Sequence, residues 1–396
     1  MGFSKYVVQT THNNQQVYFN TVTRRHLPID ATIDRFHSKF FLAGQEHDAL
    51  VWQIMRRPMG KSFFLFVAPT WECNLRCTHC MVKHQLVRSQ EKEIDVPAIK
   101  DFALRCMARY GTTNFPIQFY GGESLLAVPK CVELMDSISS IEGLETRFSL
   151  YTNLAVELTE EHIDFLRKLY SIGVSIDGLE EQHNTQRIPL NGHINPFEVS
   201  MSNLRKLVLA GLKDKIEVQA CLKDEFNTLE NRLAVYEMIV RFGVAYDRIN
   251  IGTISPTKLH PQPSDMYISG LRQPRLSQRC CCKYRQHIYL TDCSGNIFSD
   301  YYTYTPIGTI YDDLETLEKQ QAKLTLNTMP VFNDPKCKEC PVVGYCWGGC
   351  TVVENTGHNL SKYCDQHGLI AHVESLAKEG NLIPQVNKPD ERHINI

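Results

Sequence analysis

From residue 63 to residue 256 the chain keeps one rhythm, a short apolar run followed by a helical stretch. The runs are FFLFVAPT (63–70), IQFYG (117–121), RFSLYTN (147–153), SIGVSID (171–177), KIEVQACL (215–222) and RINIGTI (248–254). Each is short and rich in β-branched or aromatic residues, as strands are. Between them lie helical patterns. Asp95 stands where an N-cap is expected and Pro97 falls in the first turn. Ile99, Phe102, Ala103, Cys106 and Met107 then share one apolar face. A second helix is expected after Thr228, with Leu229, Leu233, Tyr236 and Ile239 inward and Gly243 as its stop. Strands alternating with helices imply parallel βαβ units. The fold class is therefore α/β, a partial barrel or an open sheet. Both bind ligands at the C-terminal ends of their strands.

Different patterns flank this core. Residues 1–62 read as a small unit: YVVQTT and QQVYFNTV, separated by HNN, suggest a β-hairpin, and a helical pattern runs from about Ile33 to Arg56. The rhythm stops after Pro256 in the polar, proline-rich SPTKLHPQPSD. Residues 257–378 are cysteine-dense with short elements, as in a domain built around metal. Residues 379–396 read as a loose polar tail.

Composition narrows the function. The net charge of -2, with acids and bases interspersed, argues against a nucleic-acid or anionic-membrane partner. The start, MGFSKYVVQTTHNN, has no apolar signal-peptide core, and FFLFVAP is far shorter than the ~18 residues of a membrane span. A reducing, cytoplasmic location is expected. Fifteen cysteines in such a compartment point to metal rather than disulfides.

The first cysteine cluster, WECNLRCTHC, follows directly on the first strand. Cys73, Cys77 and Cys80 have the spacing CxxxCxxC. A four-iron cluster normally takes four thiolates, so three leave one iron open, as a reactive metal centre requires. This motif, at the end of the first strand of a six-unit α/β barrel, resembles the radical S-adenosylmethionine (radical SAM) superfamily. The resemblance implies a [4Fe-4S] cluster whose open iron is chelated by the amino and carboxylate groups of SAM. It further implies reductive cleavage to a 5′-deoxyadenosyl radical that abstracts hydrogen from an unactivated carbon. FYGGESLL after the second strand resembles the family's GGE motif, so Gly121, Gly122 and Glu123 are expected at the SAM amino group. YTNL supplies Asn153 where the family often reads TNG; Leu154 replaces the glycine. VSIDGLEEQHNTQR resembles the SIDGP…H…R stretch. It places Ser175 near the SAM ribose or carboxylate and Arg187 near an anionic group. The competing reading of the three cysteines is a zinc site completed by His79 or His84.

CKECPVVGYCWGGC followed by KYC supplies Cys337, Cys340, Cys346, Cys350 and Cys364. Five ligands exceed one tetrahedral site. The array resembles the SPASM domain, which carries one or two auxiliary [4Fe-4S] clusters. By that pattern Cys337, Cys340, Cys346 and Cys364 hold one cluster, and Cys350 crosses to another. The second site is irregular: CCCKYRQHIYLTDCSGNIFSD offers Cys282 and Cys293, with Asp300 where a last cysteine is expected. Asp300 as an oxygen ligand, Cys293 as a substitute, and an open iron held by Cys280 to Cys282 with Cys350 all remain open. A zinc module is the competing reading of the array. Cys106 and Cys131 read as core thiols; Cys221, at a strand end, is a core or catalytic thiol.

SPASM enzymes mostly modify peptides. The resemblance therefore implies an enzyme that oxidatively crosslinks or oxidises a ribosomally made precursor peptide, with flavodoxin or ferredoxin as reductant. The N-terminal unit could meet the precursor's leader by strand addition. A second expectation is an anaerobic sulfatase-maturing enzyme that makes formylglycine. SDYY (299–302) resembles its Cys-Asp-aromatic-Tyr segment, with Ser299 for the cysteine and Asp300 as general base. Asp300, Tyr301 and Tyr302 are the candidate catalytic residues. A third reading, from another class, is a non-catalytic iron–sulfur or zinc protein.

Overall fold

The computed structural model describes residues 2–12, 14–23, 25–56, 63–80, 82–86, 94–192, 194–253, 288–299, 305–328 and 335–341. Two compact units are formed. None of the described helices is long and apolar enough to cross a membrane.

The first unit holds β1 (Val7–His12), β2 (Gln15–Asn20), β3 (His26–Pro28), α1 (Arg35–Phe41) and α2 (Gln45–Arg56). The expected hairpin forms, with Val7 opposite Asn20 and His12 opposite Gln15, and β3 adds to β2. Asn20, fully buried, locks the sheet to α1. Its amide donates to the Phe40 carbonyl at 2.7 Å, and its Oδ1 accepts from the Val22 and Thr23 N–H groups. The single helix expected from about Ile33 to Arg56 is two. Leu42 turns extended and bridges Phe3 across the unit, while the Ala43 N–H bonds the Gly2 carbonyl. Pairing with the chain start overrides the helical period. Residues 335–341 belong to this unit as well. Lys5 pairs with Glu339 at 2.8 Å, and the Thr21 hydroxyl donates to the Pro341 carbonyl.

The second unit is built on one nine-stranded sheet. Its strands are β4 (Phe64–Val67), β6 (Ile117–Phe119), β7 (Phe148–Thr152), β8 (Ser171–Ser175), β10 (Ile216–Leu222), β11 (Ile249–Thr253), β12 (Ile288–Thr291), β13 (Asn296–Phe298) and β14 (Pro306–Thr309). Two short strands, β5 (Leu75–Cys77) and β9 (Arg187–Pro189), pair apart from it. The order is β11-β10-β8-β7-β6-β4-β12-β13-β14, parallel from β11 through β12. All six sequence-predicted strands are present. They wind in one direction with no reversal, which is the topology of a partial barrel rather than a doubly wound sheet. Strand β12, from the stretch read as cysteine-rich, lies parallel beside β4.

Alternation along these strands separates two faces. Leu65, Val67, Ile117, Phe119, Leu150, Ile172, Val174, Ile216 and Val218 are fully buried in the main apolar core. Their neighbours Phe66, Ser149, Tyr151, Ser175, Gln219 and Cys221 are half-buried on the opposite, inner face. Between the strands run α3 (Lys83–Leu86), α4 (Val96–Tyr110), α5 (Val128–Ser139), α6 (Glu160–Lys168), α7 (Glu180–Gln186), α8 (Pro196–Leu209) and α9 (Leu229–Val240). The Asp95 and Thr228 caps form as expected, accepting from the Ala98 and Asn231 N–H groups. Helix α9 is rotated from the expected face. Leu229 and Leu233 are exposed, and Val235, Tyr236 and Ile239 are buried. Tyr236 sets the rotation by stacking on Tyr246 at 4.3 Å.

Candidate active site

The cysteine motif lies in the loop after β4, at the C-terminal edge of the sheet. Its conformation is set by chain far away in sequence. Within it, β5 pairs antiparallel with β9: Leu75 faces Pro189, Arg76 faces Ile188 and Cys77 faces Arg187. The Thr78 N–H donates to the Gln186 carbonyl, and the Leu190 N–H to the Asn74 carbonyl.

The GGE segment braces the other side of the loop. The Gly122 N–H bonds the Thr70 carbonyl at 3.0 Å, and the Glu123 N–H bonds the Glu72 carbonyl at 2.7 Å. These backbones are so close that a Cβ on Gly122 would sit 2.0 Å from the Glu72 oxygen, and one on Gly121 2.7 Å from the Thr70 oxygen. The glycines are required here by the approach of two loops.

Glu123 is buried, and its carboxylate is engaged by the protein. Oε1 accepts from the Thr152 hydroxyl at 2.7 Å and the Leu125 N–H at 3.1 Å; Oε2 accepts from the Asn153 N–H at 2.8 Å. Burial pushes its pKa up, against these donors. A carboxylate has about four lone-pair sites, so about one remains for a ligand. Asn153 is likewise committed. Its amide donates to Asn74 Oδ1 at 2.9 Å and faces Cys73 Sγ at 3.8 Å; its Oδ1 accepts from the Ala155 N–H. Ser175 ends β8 half-exposed on the inner face.

Leu154 stands at φ 57, the left-handed region that favours glycine, yet its side chain is fully buried. Truncating a buried leucine costs at least about 3 kcal/mol, and relieving the backbone returns about 1. Leu154→Gly is therefore expected to lower stability by about 2 kcal/mol in a urea melt.

Asp177, within SIDG, has no role assigned by the sequence motif. It is the hub of the site. Its side chain is fully buried. Oδ2 accepts from Arg187 Nε at 2.7 Å and faces His79 Nε2 at 3.3 Å; Oδ1 accepts from the Cys221 N–H at 2.9 Å. Burial would raise its pKa, but Arg187 and then His79 hold it below the ordinary carboxylate value. An aspartate directly after an inner-face strand end was the available signal.

His183 Nδ1 accepts from the Asp177 N–H at 3.1 Å, and burial pushes its pKa down to about 4. The fold therefore favours neutral His183. That stabilisation is complete above the unfolded value near 6.5 and is lost as pH falls towards 4. It amounts to on the order of 3 kcal/mol. Urea melts from pH 7 to 4 should show this loss, and His183→Gln should flatten it.

Each of the three thiols meets at least one N–H donor, the Val82 backbone for Cys80. Cys73 Sγ accepts from the Leu75 N–H at 3.4 Å, besides the Asn153 amide; Arg187 Nη1 lies 4.0 Å from Cys77 Sγ. Burial pushes Cys73 up to about 12 and Cys77 up to about 11, and also raises Cys80. Half-buried sulfurs facing N–H donors and a guanidinium are suited to thiolates on a metal, whose charge offsets the partial burial. Among the described residues no three His, Cys, Asp or Glu side chains converge as on a single ion. A four-iron cluster instead takes each thiolate on a different iron.

A family match covers residues 67–225, and its family is the radical SAM superfamily. Residues 67–225 are a radical SAM domain. The superfamily consists of enzymes that use SAM and a [4Fe-4S] cluster, and the donors around Cys73, Cys77 and Cys80 fit that cluster. The GTP 3',8-cyclase of Clostridium botulinum (strain Hall) is 26% identical over 184 residues, 45% of this chain and 55% of the cyclase. The chain thus spans about half the length of the curated relatives it matches. Among solved structures, native anSMEcpe with bound AdoMet is similar in fold. Its TM-score is 0.60 at 17% identity, over 80% of this chain and 98% of that one. Streptococcus suis SuiB bound to precursor peptide SuiA has a TM-score of 0.50 at 12% identity, over 90% of this chain and 96% of SuiB.

Outside the radical SAM domain, Cys293 is buried in the turn between β12 and β13 and packs in the core of the second unit. Cys337 and Cys340 lie in the first unit, where the Cys340 N–H bonds the Cys337 carbonyl at 3.2 Å. Cys280 to Cys282, Asp300, Tyr301, Tyr302, Cys346, Cys350 and Cys364 lie outside the described residues. Cys106 and Cys131 are fully buried core thiols, as expected.

Proposed function

We propose that this chain is a radical SAM maturase that oxidatively modifies a ribosomally made peptide, with a SPASM-type C-terminal region holding auxiliary clusters. One observation carries the reading: fold similarity to anSMEcpe extends well past residues 67–225, to 80% of the chain. Related solved structures hold peptides, Cp18Cys with anSMEcpe and SuiA with SuiB. The cysteine array 337–364 in this sequence suits the same reading.

The chain's own residues have these parts. Cys73, Cys77 and Cys80 are assigned as cluster ligands. Gly121, Gly122 and Glu123, with Asn153, set the loop that faces the SAM amino group; Ser175 lines the inner face nearby. When bound, the cluster supplies the electron for reductive SAM cleavage. The three-stranded sheet of the first unit offers its outer strands, β1 and β3, for strand addition by a leader segment.

Iron and sulfide content tests the auxiliary clusters: about four of each per chain would remove them, and about eight to twelve are expected. Co-expression with a short neighbouring reading frame should yield a peptide lighter by two hydrogens per modification. Unchanged peptide affinity in a stable chain lacking residues 1–60 would remove the leader role. The sulfatase-maturing alternative rests on SDYY, where Ser299 is buried after β13. No aldehyde from a sulfatase-type peptide would eliminate it.

A further inference from the structure

Arg187 is a buried cation whose placement asks for a reason. It is 8% exposed, at the start of β9, directly across from Cys77 in the β5–β9 pair. Its Nε is occupied by Asp177, and Nη1 points at the Cys77 sulfur. Asp177 has no freedom of its own. Its side chain is tied to the Cys221 N–H and His79. Its backbone N–H donates to His183, and its carbonyl accepts from Gln186 Nε2 at 3.2 Å. Five bonds from the cysteine loop, α7, β9 and β10 thus converge on one carboxylate residue, and that residue leaves the guanidinium one orientation.

A positive N–H donor on a cluster-ligating sulfur stabilises the reduced, more negative cluster and so raises its reduction potential. We propose that Asp177 is a positioning residue that holds the Arg187 guanidinium against the Cys77 sulfur, and that this contact raises the reduction potential of the cluster. The proposal rests on the radical SAM site and is independent of the peptide reading. Asp177 is placed to act through Arg187, which lies between its carboxylate and the Cys77 sulfur. It also sets the sign expected on its removal. If the carboxylate were only a counter-charge, removing it would raise the potential. If it positions Arg187, removing it frees the guanidinium and lowers the potential.

The test is a redox titration of the reconstituted full-length chain, following the EPR signal that changes on adding SAM. Arg187→Met should retain its iron and show a more negative midpoint. Asp177→Ala should shift in the same direction. The double variant, Arg187→Met with Asp177→Ala, should titrate like Arg187→Met alone, because a residue acting through Arg187 has nothing left to act on. Removing both partners of a buried pair spares the fold better than removing one. If Asp177→Ala proves unstable, an unchanged midpoint in Arg187→Met or a further shift in the double variant still overturns the proposal. An unchanged midpoint in Arg187→Met, an upward shift in Asp177→Ala, or a further shift when Asp177→Ala is added to Arg187→Met would overturn the proposal. A wild-type chain that takes up no SAM-responsive cluster would overturn the site assignment itself.

Discussion

Gly122→Ala is expected to empty the active site while adding a single methyl group. The new Cβ would lie 2.0 Å from the Glu72 carbonyl oxygen and 2.7 Å from the Trp71 carbonyl carbon, both backbone atoms. Backbone cannot swing aside as a flexible side chain can, so the loop entering Cys73 must shift. The hydrogen bonds from Gly122 to Thr70 and from Glu123 to Glu72 would stretch with it. A displacement of about 1 Å in a positioned group costs about 100-fold in rate. SAM-dependent 5′-deoxyadenosine formation should fall by at least that factor, and iron retained after desalting should fall with it. Gly143→Ala is the control. Gly143 has φ 76 with nothing within 4 Å of its Cβ position, so only about 1 kcal/mol of backbone strain is expected, with the cluster intact. Equal iron content in Gly122→Ala and wild type would show that the two loops do not brace one another.

The second large effect is expected from Glu123→Ala. The change orphans three donors at once: the Leu125 N–H, the Thr152 hydroxyl and the Asn153 N–H. Stranding the partners of a buried charged group costs about 3–5 kcal/mol. Asn153 would then be free to leave Asn74 and Cys73, so the loss should reach the cysteine loop from the β7 side. Chemical denaturation of the metal-free chain reads the stability loss, and SAM binding to the reconstituted chain reads the site. A variant as stable as wild type but unable to bind SAM would assign Glu123 to the ligand alone.

These predictions turn on contacts of different legibility. The six barrel strands could be read because each is a short apolar run bounded by caps and glycines, and local pattern is what a strand needs. Cys73, Cys77 and Cys80 could be read for the same reason, since one loop carries all three. Helix α9 shows where the pattern weakens. Four apolar residues were evident, but Tyr236 stacking on Tyr246 chose which of them face inward. The helix expected across Leu42 broke because Phe3 and Gly2 compete for its backbone. Neither competitor has a signature in the local period.

The sequence by itself determined the α/β class, the six-strand rhythm, the three-cysteine loop and the glycines beside it, because these follow from spacing along the chain. Only the tertiary structure decided what holds that loop. β9 pairs with β5 some 110 residues away, Asp177 gathers Arg187, His79 and the Cys221 backbone, and β12 closes beside β4. The physical reason is that a buried charge or an unpaired strand edge must find a partner. Nothing along the chain records which partner it finds; that depends on which groups the folded sheet brings within hydrogen-bonding distance.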